Sequence, residues 1–428
     1  MTAEIGILNR QGVALAADSA VTINSGGQMK ILNTANKLFS LSENQPIGLM
    51  VYGNGDFMDV PWEIIIKLYR TKLGEKTYNT LKEYCDDFFD FIINDNRFSN
   101  KISEEKYIYV TVNNFIKHLE RRVYEHINSN YETTPNTEEI CKILDSVTKQ
   151  ELIEIDRIPF LQGFDFNYSI PFLDKYNYII EKVIKSNFDF EINADSIGNI
   201  KQTIVFLITK DIFNNFSGVV IAGYGENEIF PSLYEYHVEG IIDKKLKYKL
   251  NEENHIQALG GNDSSTASIM PFAQKEMVHS LLTGINPDVY QFIANNLLNV
   301  FGDFSNLIER LLKENNVTCE LDASVKDNLN NTGKDILQSI LKTIQDVQNE
   351  KFIQPIIQMV SMLPKDELAS MAESLVNITS FKRKFTLDAE TVGGPIDVAV
   401  ISKNDGFVWI KRKHYFNKDL NYRFFKNH

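Results

Sequence analysis

Residues 1–18 read MTAEIGILNRQGVALAAD, and they predict a β-hairpin at the very start of the fold. Residues 3–9 alternate weakly, as a strand does, and the NRQG segment at 9–12 has turn chemistry. A short apolar run at 13–17 then predicts a second strand that ends at Asp18. Because a hairpin returns the chain to the level of its first residue, we expect Asp18 to lie beside Thr2.

Thr2 is a candidate nucleophile because it follows the initiator Met1, and a small second residue is what methionine aminopeptidase needs to remove Met1. The processed chain would carry a hydroxyl and a free α-amine on one residue. An α-amine has an ordinary pKa of about 7.7–8.0, which suits a general base at neutral pH. Threonine activated by its own amine is a known nucleophile. Taken alone, however, Thr2 would be an ordinary second residue. Whether it is a nucleophile therefore depends on the remaining motifs.

Three further motifs follow in order. Residues 36–41 read NKLFSL and contain Lys37. Residues 47–56 read IGLMVYGNGD, which predicts a strand running into a glycine-containing turn. Near the other end, residues 393–408 read GGPIDVAVISKNDGFV, which predicts a hairpin led by two glycines.

Together these motifs resemble the proteasome β-subunit, a member of the N-terminal nucleophile (Ntn) hydrolases. That family has an N-terminal Thr, then "LAAD", "KLF", a strand ending in "GxxGD", and a closing "GGxIDVAVI" hairpin. The resemblance implies an α+β fold, a four-layer αββα sandwich. This chain has room for two large, mainly helical insertions in addition, at residues 95–199 and 285–360.

The resemblance also implies a threonine-type endopeptidase in which Thr2 attacks the scissile peptide carbonyl of a peptide or unfolded protein. Lys37 would be a buried cation close to Thr2, favouring the deprotonated forms of its amine and hydroxyl. A core lysine needs a partner, and Asp18 is the matching carboxylate. Gly53 would supply the backbone N–H that stabilises the oxyanion. The spacing after Gly53 is one residue shorter than in the family, so Asn54 is the alternative donor.

Four other residues are implied by the resemblance. Asp388 and Thr391 would orient the N-terminal amine, although the match needs one inserted residue before the double glycine. Val21 and Thr22 would pair with the substrate backbone by β-strand addition. Where the family has a supporting serine, this chain has Gly261, and Asp263 or Ser264 would have to substitute for it.

The resemblance predicts one interrupted domain, divided into an Ntn core at 2–94, a helical insertion at 95–199, core at 200–284, a second helical insertion at 285–360, and core at 361–428. The segment 78–93 predicts a helix of the core. An apolar stripe within 364–381 predicts another, and its members are Leu368, Met371, Ala372, Leu375 and Ile378. Residues 106–127 predict a helix as well, although the sequence YIYV at 107–110 is also typical of a strand. A helix is expected to follow the turn at 257–263.

Composition bounds the function further. The chain has 428 residues, 43% of them apolar, and a formal net charge of −13. This charge argues against nucleic-acid binding. The sequence has no N-terminal signal and no apolar run long enough for a membrane span, so we expect a cytoplasmic protein without a membrane partner. The three cysteines and seven histidines show no ligand spacing, so we expect no metal and no cofactor.

Two alternatives to a peptidase stay open at the sequence level. The first is an Ntn amidase or acylase that acts on a small molecule in a closed pocket. The second is a non-catalytic, proteasome-like assembly module, although such subunits lack the Thr-Asp-Lys set. The resemblance implies a homo-oligomer, but the insertions leave ring, dimer and monomer open. A regulatory or unfoldase partner is a further open prediction.

Overall fold

The computed structural model describes residues 2–25, 28–133, 135–252, 256–257, 266–315, 317, 321–386 and 392–421. Both helices and strands are extensive, so the chain belongs to the α+β class as predicted. It divides into two compact units. The first comprises Met1–Leu38, Ile229–Pro231 and Gln257–His428, and the second comprises Phe39–Glu228 and Ser232–Ile256. The five-part division predicted from the sequence has its boundaries at the ends of the helical insertions, not at the ends of these two units. That division stays a prediction.

The first unit contains seven of the described strands. They are β1 Ala3–Asn9, β2 Gly12–Ala17, β3 Val21–Ser25, β4 Gln28–Leu32, β13 Ala267–Ala273, β14 Asp397–Ser402 and β15 Gly406–Lys411. Five of them form an antiparallel sheet with the order β13-β1-β2-β14-β15. The chain's first hairpin is therefore at the centre of the sheet, and its two strands are buried along their whole length. A separate two-stranded ribbon, β3-β4, follows the hairpin.

Six of the described helices belong to the same unit. They are α7 Glu276–Thr283, α8 Pro287–Gly302, α9 Phe304–Glu314, α10 Ala323–Gln348, α11 Gln354–Met362 and α12 Lys365–Phe385. The long helix α12 packs its apolar stripe on β1 and β2, where Leu368 and Leu375 join a core that includes Ile5 and Ile7. Burying each such side chain is worth about 1.5–3 kcal/mol, so this helix holds the hairpin in place.

The second unit is built on a six-stranded sheet. Its strands are β5 Leu38–Ser40, β6 Ile47–Gly53, β9 Ser217–Gly223, β10 Ser232–Ile242, β11 Lys245–Leu250 and β12 Ile256–Gln257, and the short pair β7 Asp56–Phe57 and β8 Val60–Pro61 lies outside the sheet. The strands follow the order β11-β10-β9-β6-β5, and β12 pairs with β10.

Within its described residues, the second unit also has six α-helices. They are α1 Trp62–Leu73, α2 Leu81–Asn94, α3 Lys101–Asn130, α4 Thr137–Asp156, α5 Ser169–Asn187 and α6 Ala194–Thr209. Helices α1 and α2 bury Trp62, Tyr69 and Phe88 in one core with strand residues such as Val219 and Ile221. The two helices therefore cover one face of the six-stranded sheet.

The segment between α2 and β9 forms a helical bundle with its own core. Its longest helix, α3, begins after Asn100, whose side chain accepts hydrogen bonds from the backbone N–H groups of Ile102 and Ser103. Ile108 and Val112 lie four residues apart on its buried face, which resolves the helix-or-strand ambiguity in favour of a helix.

Two sequence predictions about local structure were wrong. The segment after the 257–263 turn does not open a helix directly, because Ala267–Ala273 forms strand β13 and α7 begins only at Glu276. Pro271 is compatible with β13 because that strand is at the edge of its sheet, where a missing N–H is tolerated. In α12, the predicted apolar stripe includes Ile378, yet Ile378 is 41% exposed and Thr379 is buried in its place.

Among the described residues, no helix is both long enough and apolar enough to cross a bilayer.

Candidate active site

The first hairpin brings Asp18 back to the beginning of β1. The ladder pairs Asn9 with Gly12 and Glu4 with Ala17, so Asp18 follows level with Ala3. The Asp18 N–H donates to the Ala3 carbonyl at 3.1 Å, and the Ala3 N–H donates to Asp18 Oδ1 at 3.1 Å. The residue that follows Met1 is therefore next to a buried carboxylate, as the hairpin pattern predicts.

Lys37 connects that carboxylate to Thr2. Its Nζ donates to Asp18 Oδ1 at 2.6 Å and to Thr2 Oγ1 at 3.0 Å. The Lys37 side chain is 5% exposed and that of Asp18 is fully buried, while Thr2 is 6% exposed. Two of the three N–H donors of the ammonium group are thus directed at two other predicted catalytic residues, Thr2 and Asp18.

The second oxygen of Asp18 is also occupied. Oδ2 accepts hydrogen bonds from the backbone N–H groups of Ala20, at 3.2 Å, and Gly393, at 2.9 Å. The carboxylate therefore accepts four hydrogen bonds, counting those from Lys37 and Ala3. Removing two charges from water is costly, and the cost is offset only when the remaining lone pairs are satisfied. The geometry meets that condition, so Asp18 holds the Lys37 ammonium against the Thr2 hydroxyl.

Several backbone contacts in the site were not identified from the sequence. The Gln274 N–H donates to the Thr2 carbonyl at 3.2 Å, which fixes the start of the chain next to β13. Ser19, fully buried, donates through Oγ to the Pro395 carbonyl at 2.5 Å, and its N–H donates to the Gly393 carbonyl at 3.1 Å. The sequence pattern at the double glycine predicts only the start of a hairpin. Its direct bond to Asp18 depends on a contact between residues 375 positions apart, which no local pattern reveals.

Gly53 is the last residue of β6, in the second unit. Its φ is +78°, and a Cβ built on it would lie 2.6 Å from the Phe216 carbonyl oxygen, so only glycine fits. The Asn54 N–H already donates to the same Phe216 carbonyl, at 3.3 Å. Of the two predicted oxyanion donors, the Asn54 N–H is therefore already used in a hydrogen bond within the second unit. This favours the Gly53 N–H as the oxyanion donor.

Of the four other residues implied by the resemblance, the structure describes Val21 and Thr22. Val21 and Thr22 begin β3, where they pair with Leu32 and Ile31 of β4, so one edge of β3 is taken by the chain itself. Asp388 and Thr391 lie outside the described residues. So do the residues of the 261–264 segment that were considered as substitutes for the family's serine. In the part of the chain that the structure describes, no group of three or more His, Cys, Asp or Glu residues could hold a metal ion.

Comparison with known proteins gives little similarity. No protein-family model matches the sequence, and no curated protein matches it. A search of solved structures finds Anbu (ancestral beta-subunit) from Yersinia bercovieri, with 10% sequence identity and a TM-score of 0.27. That match covers 99% of this chain and 94% of the other. A TM-score this low does not establish a common fold.

Proposed function

We propose that this chain is a proteasome-like threonine peptidase whose nucleophile is Thr2 after removal of Met1. The observation that carries the proposal is the position of Lys37 Nζ, which donates both to Thr2 Oγ1 and to Asp18 Oδ1 in a buried environment. A cation held against a hydroxyl favours its deprotonated form. Stability alone does not explain this arrangement, because replacing a buried ion pair with apolar side chains of similar volume is often neutral or even stabilising.

In the first half of the proposed reaction, Thr2 Oγ attacks the carbonyl carbon of the scissile peptide bond. The hydroxyl proton passes to the Thr2 amine, directly or through a water molecule. The tetrahedral intermediate collapses when the carbon–nitrogen bond breaks, and the departing amine takes the proton from the Thr2 ammonium group. An ester between Thr2 and the acyl half of the substrate is left.

In the second half, a water molecule attacks the ester carbonyl and gives its proton to the Thr2 amine. The carbon–oxygen bond to Thr2 Oγ breaks, the oxygen regains a proton, and the carboxylic acid product leaves. Lys37 stabilises the negative charge on Oγ in both halves, at attack and at departure, because its Nζ is within hydrogen-bond distance of that atom. Asp18 keeps Lys37 in position throughout.

We extend the proposal to the fold and to the remaining site residues. The burial of β1 and β2 on both faces supports an αββα sandwich, in which the first sheet would be covered on both sides. Gly53 is the proposed oxyanion donor, Asp388 and Thr391 the residues that orient the amine, and Val21 and Thr22 the substrate-binding edge. Removing one oxyanion donor typically costs about 2.7–4 kcal/mol in the transition state.

Assembly and location are proposals of the same kind. Helix α8 has no buried residue among those described, and it exposes Phe292 to 69% and Leu298 to 52%. Exposed apolar residues grouped on one helix support self-association, so we propose a homo-oligomer. A cytoplasmic location and a regulatory or unfoldase partner remain predictions from the sequence and the resemblance.

The test is mass spectrometry of the N-terminal peptide after exposure to a peptide epoxyketone, an electrophile that reacts with both the hydroxyl and the amine of an N-terminal threonine. We expect Met1 to be absent and an adduct on Thr2, lost in the matched variant Lys37→Ala. Met1 removed without an adduct would favour the small-molecule amidase or the non-catalytic module. Met1 retained in active protein would overturn the mechanism.

A further inference from the structure

The peptide unit between Thr2 and Ala3 is held from both sides. Its carbonyl accepts a hydrogen bond from the Gln274 N–H at 3.2 Å, and its N–H donates to Asp18 Oδ1 at 3.1 Å. The Thr2 side chain is held as well, because Oγ1 accepts a hydrogen bond from Lys37 Nζ at 3.0 Å. The only other heavy atom bonded to Thr2 Cα is the backbone nitrogen. Fixing the carbonyl and Oγ1 therefore also fixes the direction of that nitrogen.

The donor to the Thr2 carbonyl comes from a strained turn at the end of β13. The last pair in the ladder between β1 and β13 is Ala3 with Ala273, and Gln274 follows directly. Ala273 has a φ of +61°, in the left-handed region that is unfavourable for a residue with a Cβ. Strain of this kind persists only where neighbouring contacts hold it, and it is concentrated at functional sites.

The last turn of α12 supplies contacts that hold this segment. Arg383 donates to Gln274 Oε1 through Nε, at 2.9 Å, and through Nη2. The preceding residue, Lys382, donates to Glu276 Oε1 at the start of α7. A guanidinium group directs two N–H donors from one rigid plane, which a single ammonium group does not reproduce. Two consecutive residues of α12 therefore hold both ends of the segment 274–276.

We propose that Gln274 and Arg383 are positioning residues of the peptidase. Arg383 holds Gln274, and the Gln274 N–H holds the Thr2 carbonyl, so that the amine released by removal of Met1 is directed to accept the proton from Oγ. The inference rests on the proposed function, in which this amine is the general base. Without the Arg383 contact, the strained turn at Ala273 would relax and the amine would shift. A shift of about 1 Å can lower a rate about a hundredfold.

The test removes the contact between the two side chains and counts active sites. Gln274→Leu removes the acceptor, Arg383→Met removes the donors, and Lys384→Met removes an exposed charge from the same turn of α12 as a control. The readouts are kcat and KM for a fluorogenic peptide, with active sites counted by epoxyketone labelling of Thr2 run to completion. We expect kcat per labelled Thr2 to fall roughly ten- to a hundredfold in the first two variants, with KM close to that of wild type. Lys384→Met should match wild type in both.

A purely structural role would give a different result. It would lower the thermal midpoint and the number of labelled sites, but kcat per labelled Thr2 would equal that of wild type. Gln274→Glu keeps an oxygen acceptor for Arg383, so its kcat should lie well above that of Gln274→Leu. Because the two residues are proposed to act in series, Gln274→Leu/Arg383→Met should be no slower than the slower single variant. Arg383→Lys, which keeps one donor, serves if Arg383→Met does not fold, and its kcat should be intermediate.

The outcomes separate this inference from the proposed function. Wild-type kcat per labelled Thr2 in folded Gln274→Leu and Arg383→Met would overturn the positioning role and leave the peptidase standing. Losses that add in the double variant would overturn the action of Arg383 through Gln274. Neither labelling of Thr2 nor turnover in the wild-type protein would overturn the proposed function and, with it, this inference.

Discussion

The Lys37 ammonium nitrogen lies 3.0 Å from the Thr2 hydroxyl oxygen, although the two residues are 35 positions apart. The contact depends on Asp18, which accepts a hydrogen bond from Lys37 at 2.6 Å and ties itself to the start of β1 through Ala3. The closing hairpin brings Asp18 beside the start of the chain, and the hydrogen bond from Lys37 to Asp18 adds the third side chain. The three residues therefore meet although they are not neighbours in sequence. A variant of any one of them should reveal whether they act as a unit.

The first prediction concerns the nucleophile. Thr2→Ala removes Oγ but keeps the α-amine and the small second residue, so Met1 should still be removed. We expect peptide hydrolysis to fall at least roughly a thousandfold, since the loss of a nucleophile removes the covalent route entirely. The thermal midpoint should be almost unchanged. The control is Thr71→Ala, which removes an exposed hydroxyl on α1, and its turnover should equal that of wild type. Substantial hydrolysis by Thr2→Ala would refute the mechanism.

The second prediction separates stability from catalysis at the ion pair. Asp18→Asn leaves the Lys37 ammonium buried without its countercharge, and breaking a buried pair in this way typically costs about 3–5 kcal/mol. Adding Lys37→Met removes the stranded charge, so the double variant should regain much of the free energy of unfolding. Its turnover should not recover, because the cation next to Thr2 is gone. Urea denaturation and a peptidase assay on all four members of the cycle measure both effects.

The cycle contradicts the catalytic role if turnover recovers together with stability. In that case Asp18 and Lys37 would serve only to stabilise the hairpin, and the hydrogen bond from Lys37 Nζ to Thr2 Oγ1 would have no catalytic role. If the double variant regains neither stability nor turnover, the ion pair is required for folding. Epoxyketone labelling of Thr2 would then decide whether the pair also has a catalytic role.

The sequence predicted those parts of the site that depend on local pattern and chain order. The hairpin that places Asp18 beside Ala3 follows from alternation and turn residues, and the importance of Thr2 and Lys37 follows from the resemblance. What the sequence could not predict depends on contacts far along the chain. The hydrogen bond from the Gly393 N–H to Asp18 connects residues 375 positions apart in the first unit, and strand β13 forms by pairing with β1.

A cavity lined by residues 54–56 of the second unit could not be predicted for a similar reason. Its wall joins Tyr107 of α3 to Glu239 of β10 and to Asn215 before β9, residues from three separate stretches of sequence. Each reads in sequence as an ordinary core or loop residue. Only the packing of the bundle on the edge of the sheet reveals that the insertion adds a surface next to the turn after Gly53.

The third prediction concerns Gly53. Alanine there would need a positive φ and would place its Cβ 2.6 Å from the Phe216 carbonyl oxygen, so we expect a loss of more than about 2 kcal/mol in unfolding free energy. Gly163→Ala is a matched control, because Gly163 has a φ of +88° but open space around its Cβ position. It should cost only the backbone strain, about 1–2 kcal/mol. Equal losses at the two positions would contradict the close approach to Phe216.

The last prediction concerns the pH dependence of stability in the first unit. A hydrogen bond from Lys382 is the main cause that lowers the pKa of Glu276, and Asn286 adds a second hydrogen bond at 2.6 Å. Because the folded-state pKa is below the ordinary value of about 4.3, ionised Glu276 stabilises the fold fully above that value. This contribution is lost as the pH falls through the folded-state pKa. Both side chains are about 30% exposed, so we expect less than about 1 kcal/mol.

Glu276→Gln should therefore be less stable than wild type at pH 7, and the difference should shrink below about pH 4. In a Lys382→Met background the same substitution should show a much smaller pH-dependent difference, because the donor that lowers the pKa is gone. Lys384→Met removes an exposed charge two positions along α12 and should leave the difference intact. Urea denaturation of these variants at several pH values measures each difference. A Glu276→Gln effect that grows toward low pH would contradict the expected sign of the pH dependence, and one that survives Lys382→Met unchanged would assign the stabilisation to Asn286 instead.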